Sequence, residues 1–567
     1  MKMMAEKQRN IKVQNILQLL LVTGIIILAN IISSFVFTRI DLTGDNRFTI
    51  SQASKTTLGK LKDVVFVRVY LEGDFPAGFQ KLHDATRELL DELRNYSNGN
   101  LEYEFINPSA STDHDERNKL YHQLAEKGLQ PTNLESKSNE GTTQKIIFPG
   151  AVISFSNQEV PVQLLKDQIG VSNVLMLNNS IQNLEYEIVN GIKKATDPFK
   201  PAIAFIEGHG ELNARQTEDI SNLLRLSYDV KRVTINHQLA SLQNYKVVII
   251  AKPDSAFDEK DKFIIDQYIM RGGNVVWLID QMDVQMDSLG TKGETMALGR
   301  PLNLDDMFFR YGVRINYDLI LDLQAAPIPV VTGFVGNQPQ TQLRQWYFFP
   351  LMTPTEKHPI VNNLNAIRGQ FVSTIDTVGA PGIKKSVLLT SSRYAKIAPA
   401  PVRVSLGIMQ IKPEPRQYNL SYLLTAVLLE GQFESLYKNR LAPSIEKDSA
   451  IHFLEKSSKP SKMVVIADGD IISNDFQQGR ALACGYDRFS GTFFGNRSFI
   501  QNVIDYMVDE GGLMSVRSKE FKIRMLDPQV LESNEKIIKM INCIFPILIV
   551  LVFGIVKSVI RKRKYAV

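Results

Sequence analysis

Two apolar stretches without a single charged side chain stand near the ends of this 567-residue chain, Val13–Thr38 and Met540–Val556. A bilayer core takes roughly 20 apolar residues as helix. The first stretch meets that length. The second is shorter, but Lys539 and Lys557 at its ends can reach the interfaces. The expectation is one membrane-spanning helix at 16–37 and another at 537–559, with the bulk of the chain between them on one side.

The flanks decide which side. The tail 1–15 carries Lys2, Lys7, Arg9 and Lys12 against Glu6, and the tail 560–567 carries Arg561, Lys562, Arg563 and Lys564 with no acid. Short basic flanks stay in the cytoplasm. Both tails are therefore expected there, in the cytoplasmic (inner) membrane, with the bulk of the chain periplasmic or otherwise extracytoplasmic. With Lys557 included the tails hold +3 and +5 against +5 for the whole chain, which leaves −3 for the middle. The basic balance belongs to the membrane flanks and does not argue for nucleic acid. A cleaved signal is the competing reading of the first stretch. Its apolar core, Ile16–Phe37, exceeds the roughly 7–15 residues of such a signal, and no small-x-small site follows.

Only Cys484 lies in the middle region and Cys543 in the second apolar stretch, so no internal disulfide framework is expected. Stability must come from ordinary apolar cores.

The middle region divides at Asp197-Pro198. In 41–196, Val64–Tyr70 and Leu101–Ile106 read as strands, Phe79–Tyr96 and Asp115–Lys127 as helices. Lys145–Phe155 with Glu159–Leu165 reads as a hairpin around Asn157, and Ser172–Thr196 as a long helix capped by Ser172. That order is thioredoxin-like. The redox Cys-x-x-Cys is absent, so the layout would serve as scaffold or docking surface. In 199–525 the runs Ala202–Ile206, Val230–Ile235, Tyr245–Ala251, Asn274–Ile279 and Lys462–Ala467 read as strands. Helices are expected at Thr217–Leu226, Asp258–Met270 and Asn496–Met507. Strands alternating with helices predict a Rossmann-like α/β domain, with residues 280–460 as an insertion or second subdomain. Gln281–Gly299 reads as an exposed loop, Pro327–Pro359 as irregular or edge structure, and Glu520–Arg524 as a short strand. The aromatics of Gln345–Pro350 are expected to pack over a sheet.

Two constellations could carry chemistry. Gly208-His209-Gly210-Glu211 follows a strand and imitates a dinucleotide loop, but Asn213 stands where the third glycine belongs, although Asp229 lies at about the distance of a ribose carboxylate. A tight turn is the favoured reading, and a ligand or partner surface the sharper one. Asp468-Gly469-Asp470, with Asp475 beyond, offers carboxylates for Mg²⁺ or Ca²⁺. No EF-hand spacing is present, so turn chemistry is favoured. The sequence holds no G-x-x-x-x-G-K-[ST], G-x-S-x-G or H-E-x-x-H, and its seven histidines show no metal-ligand spacing. No cofactor, no metal and no catalysis are expected.

Several local strings, taken in order, resemble one family. They are Arg39–Thr43 with Arg47–Ser51, Phe205–Glu211, Arg271–Val276, Leu428–Ser435, Val465–Asp470 and Phe494–Phe499. The set resembles the gliding-motility-associated ABC-transporter auxiliary ("substrate-binding") family, GldG. The likeness runs over nearly the whole chain. It implies a non-catalytic, membrane-anchored extracytoplasmic partner of an ABC permease and a separate cytoplasmic ATPase subunit, required for gliding and the movement of cell-surface adhesins. It carries over no active-site residue. A solute or polysaccharide receptor feeding such a transporter is the alternative, and association with itself or with other subunits stays open.

Overall fold

The computed structural model describes residues 17–28, 30, 49–138, 141–166, 172–197, 199–289, 293–336, 338–354, 358–441, 452–518 and 528–565. Residues 50–519 form one compact unit, and residues 1–49 with 520–567 another.

The first sheet of the larger unit has four strands in the spatial order Leu101–Phe105, Val65–Val69, Gly150–Phe155, Gln158–Gln163. The first pair is parallel and the other pairs are antiparallel. Val65, Val67 and Val69 alternate into the core, as period-two patterning requires. The helix Ala77–Tyr96 joins the parallel pair, and the helix Asn173–Thr196 packs on the last two strands. Ser172 caps that helix, its hydroxyl accepting from the Leu175 amide at 3.4 Å. Gly191 lets the helix press onto the sheet, because a Cβ there would lie 2.6 Å from Val162 Cγ2.

The second sheet has ten strands. Asp229–Thr234, Ala202–Glu207, Val247–Ala251, Asn274–Leu278 and Ser461–Ile466 lie side by side and parallel. Counted along the chain, their order is 2-1-3-4-5. Beyond Ser461–Ile466 the sheet turns antiparallel through Leu424–Gly431, Ile383–Thr390, Gln338–Pro354 and Ala325–Val335. These four strands all come from within residues 280–460, most of whose other strands form separate small sheets. All five residues of Val247–Ala251 are buried. Ile249 and Ala251 enter one core and Val248 and Ile250 the other, so the strand is covered on both faces. This is why its sequence is continuously apolar. Each such Val or Ile contributes about 1.5–3 kcal/mol by its burial.

The expected α/β class is observed. Two local expectations change. Lys145–Phe155 is not one strand. It breaks at Phe148-Pro149, and its first part closes a separate hairpin, Thr132–Ser138 with Gly141–Ile147. The polar Thr/Ser/Asn content hid that pair. Gln281–Gly299 is not simply an exposed loop: Met282–Asp283 and Glu294–Gly299 are strands, the latter pairing with Val402–Ser405. Met282, Val284, Leu289 and Ala297 are buried there, because distant strands cover them. The stretch from Pro327 is edge structure, as expected: it opens in a hairpin strand with register shifts at the sheet edge, where the missing proline amides cost least. Its partner carries Trp346, Tyr347, Phe348 and Phe349, all buried, as the packing reading expects. The strand expected at Glu520–Arg524 lies outside the described residues.

In the smaller unit, Leu17–Leu28 is an apolar helix, and the rest of the expected first span, apart from Asn30, lies outside the described residues. The helix Pro528–Tyr565 contains a 25-residue candidate span, Lys539–Arg563, whose most apolar window has a mean hydropathy of 2.7. At 1.5 Å per residue this is long enough to cross a bilayer core. Its Ile547, Val550 and Phe553 are exposed, a surface compatible with lipid contact.

Candidate functional site

Four neighbouring parallel strands end at Ile466, Leu278, Ala251 and Glu207. Just past those ends stand Asp468–Asp470, Asp280, Lys252 and Gly208–Glu211. Carboxyl edges of open α/β sheets gather the loops that bind ligands, because the crossover helices lie on the faces. Two side-chain clusters form on this edge.

The first is centred on Lys252. Its Nζ lies 2.6 Å from Asp470 Oδ1 and 3.2 Å from Asp280 Oδ2. The Gly469 amide donates to Asp280 Oδ1 at 2.5 Å. Asp468 is fully buried and accepts from the Asp470 and Gln370 amides, both at 2.8 Å. Burial alone would lower the Lys252 pKa, but Asp280 and Asp470 outweigh it and hold the ammonium charged. Burial, with Asp470 and Asp280 adding to it, pushes the Asp468 carboxyl well up. Burial also raises Asp470 against the pull of Lys252. The ammonium bridges Asp280 and Asp470, so the arrangement is a polar clasp between three strand ends. Asp475 does not join it and pairs with Arg368 at 3.3 Å instead.

The second cluster is centred on His209, which is only 7% exposed and stacks on Phe257 with ring centres 3.8 Å apart. Its Nδ1 lies 3.2 Å from Glu211 Oε1 and its Nε2 3.2 Å from Asp261 Oδ2. Burial would lower its pKa, yet Glu211 and Asp261 carry it above the ordinary value. Asp261 reaches His237 Nδ1 at 3.1 Å, and Asp258 reaches the same nitrogen at 3.4 Å.

The turn itself differs from a dinucleotide loop. The His209 amide, which such a loop would aim at a phosphate, donates to Glu211 Oε2 at 2.7 Å. The chain thus supplies its own anion. Gly208 and Gly210 are both in the left-handed region, and a Cβ on Gly210 would lie 1.6 Å from Asp254 Oδ1. The turn is pinned to the next loop by the Asp254 and Ser255 amides donating to the His209 carbonyl at 2.9 and 3.0 Å. Asp229 is occupied by Lys231 at 3.0 Å.

The structure thus brings Asp468 and Asp470 together, and places Gly208–Glu211 in the neighbouring cluster. Sequence reasoning missed Lys252, Asp280, Asp258, Asp261 and His237. The usable signal for the first two was a lone charged residue directly after an apolar run, Val247–Ala251 and Val275–Ile279. Elsewhere, a cavity of about 740 Å³ is lined by Asp305, Phe309, Arg310, Arg314, Tyr317 and Arg440 among others.

A profile of the ABC-transporter auxiliary family, described as "ABC-type uncharacterized transport system", matches residues 200–503, more than half of the chain. The chain belongs to this family. The family region contains the whole parallel sheet, its antiparallel extension and both clusters. A second profile, for a domain of unknown function, matches residues 44–154. An uncharacterized protein of Borreliella burgdorferi is 20% identical over 536 residues, covering 93% of this chain and 94% of its own. A solved structure titled "mmIFT52 N-terminal domain" is 11% identical and covers 55% of this chain and 98% of its own, with a TM-score of 0.32.

Proposed function

We propose that the chain is a non-catalytic, membrane-anchored extracytoplasmic subunit of an ABC-type transport complex. In this reading it works beside a permease and a separate ATPase, and in its host the complex serves gliding motility. The observation that carries the reading is the family region at 200–503 in a chain that also holds the apolar helix Lys539–Arg563. The sequence has no P-loop, so ATP turnover would fall to another polypeptide. Both tails would be cytoplasmic and the unit 50–519 outside. The strand orders of the two sheets support a thioredoxin-like domain followed by a Rossmann-like one. The gliding role rests on the resemblance of the short strings quoted above.

The test is affinity purification of the tagged full-length chain from native membranes, followed by mass spectrometry and by deletion of the gene. Co-purification of an ABC permease and ATPase is expected, with loss of gliding in the deletion. Purification without either subunit would sink the transport reading, and a gliding deletion strain would sink the motility reading alone. A second reading, a solute receptor, is favoured by the 740 Å³ cavity, a volume suited to a small molecule. Saturable solute binding by the purified chain, lost on Arg310→Ala, would support it.

A further inference from the structure

The geometry points to a divalent transition-metal site formed by His237 Nδ1, Asp258 Oδ2 and Asp261 Oδ1, beyond anything the transport reading requires. One ligand atom of each of the three residues lies within 4.8 Å of the others. The imidazole nitrogen is 3.4 Å from Asp258 Oδ2 and 3.1 Å from Asp261 Oδ1. Tetrahedral zinc, with N and O ligands at roughly 2.0–2.2 Å, places neighbouring ligand atoms roughly 3.3–3.5 Å apart. Two of the three edges therefore already sit near that spacing, with a mixed N/O donor set that suits Zn²⁺ or Co²⁺.

A second observation lies behind the ligands. The other oxygen of Asp261 meets buried His209, whose remaining nitrogen meets Glu211, a side chain only 1% exposed. Metal-binding residues are oriented by such outer partners, which fix the carboxylate and its charge. Here one buried carboxylate–imidazole pair holds Asp261 with its other oxygen toward His237, whose backbone amide also donates to it at 3.2 Å.

Charge adds a third. Glu211, Asp258 and Asp261 supply three carboxylates against two imidazoles. Lys262, one residue on, is turned away to Glu259 and Asp306 at 3.0 and 2.9 Å. Carboxylates outnumber the imidazoles, a donor balance that suits a dication. Entry is open, since the side chains of His237 and Asp258 are 48% and 53% exposed. Water would complete the coordination. The competing reading of the cluster is an ordinary hydrogen bond between the His237 ring and Asp261.

The experiment uses the full-length chain in detergent, carrying a tag without histidines and stripped with a chelator. Zn²⁺ binding is measured by calorimetry, and Co²⁺ by its visible absorption. Wild type should take up Zn²⁺ with a saturable one-to-one step and give the intense bands of four-coordinate Co²⁺. His237→Ala and Asp258→Asn, both at exposed side chains, should each weaken Zn²⁺ binding by about tenfold or more, the scale seen even when outer partners are lost. Circular dichroism checks that both variants fold. No saturable binding by wild type, or wild-type affinity in either folded variant, overturns the assignment. Neither result bears on co-purification with a permease, so the two proposals fail separately.

Discussion

Lys252 Nζ and Asp470 Oδ1 meet at 2.6 Å across the carboxyl edge of the large sheet, 218 residues apart in the chain. Both leave strand ends, and Asp280 from the strand between them closes the group. A buried pair of this kind is costly to break, because the survivor is left charged in a dry place.

Lys252→Met is therefore expected to destabilise the chain by about 3–5 kcal/mol. Asp280→Asn and Asp470→Asn added to that variant should recover part of the loss, since the orphaned charges go with them. Thermal unfolding followed by circular dichroism checks this. A triple variant no more stable than the single one would contradict the clasp.

Gly210 allows only glycine, on two separable grounds. Its φ is +75°, and its Cβ position is taken by Asp254 Oδ1. Gly210→Ala should lower the melting temperature. Asp254→Gly in the same chain should relieve the clash but leave the left-handed strain, worth about 1–2 kcal/mol. Full recovery, or none, would show that only one of the two grounds operates.

His358 gives a pH dependence with a defined sign. It packs edge-on against Tyr506, and Glu430, Lys384 and Lys462 face it. Burial, with the two lysines assisting against Glu430, brings its pKa down to about 4. The unfolded chain takes up this proton near pH 6.5, before the folded one does. Its contribution is thus fully present above 6.5 and is lost as the pH falls from 6.5 toward 4. Denaturant unfolding at pH 7 and 5 should show the drop, and His358→Gln should reduce it. An unchanged pH slope in the variant would refute the assignment.

Asp505 fastens the helix Asn496–Val508 to the long helix Asn173–Thr196. It accepts from Tyr228 at 2.5 Å and pairs with Lys194 at 2.9 Å. Asp505→Ala leaves Lys194 nearly buried without its partner. We expect a loss of about 3 kcal/mol or more and faster proteolysis at the Asp197–Pro201 connection. Limited proteolysis with mass mapping tests it, and a wild-type cleavage rate would count against a fastened junction.

What the sequence determined alone are the features that local composition controls. The apolar run before Arg561 needed no partner to be read as a long greasy helix. Val247–Ala251 announced a doubly covered strand by its lack of polar residues. Ser172 and the glycines at 208 and 210 marked a cap and a turn through the backbone conformations they favour. Only the tertiary structure decided which side chains meet. The strand Glu294–Gly299 depends on Val402–Ser405, supplied from far along the chain. Asp280 and Asp470 converge on Lys252, and His209 and His237 on Asp261, because parallel strands bring their ends together whatever lies between them in sequence. No spacing of histidines or carboxylates along the chain encodes that meeting. The order of the strands does, and strand order is set by packing both faces of one sheet at once.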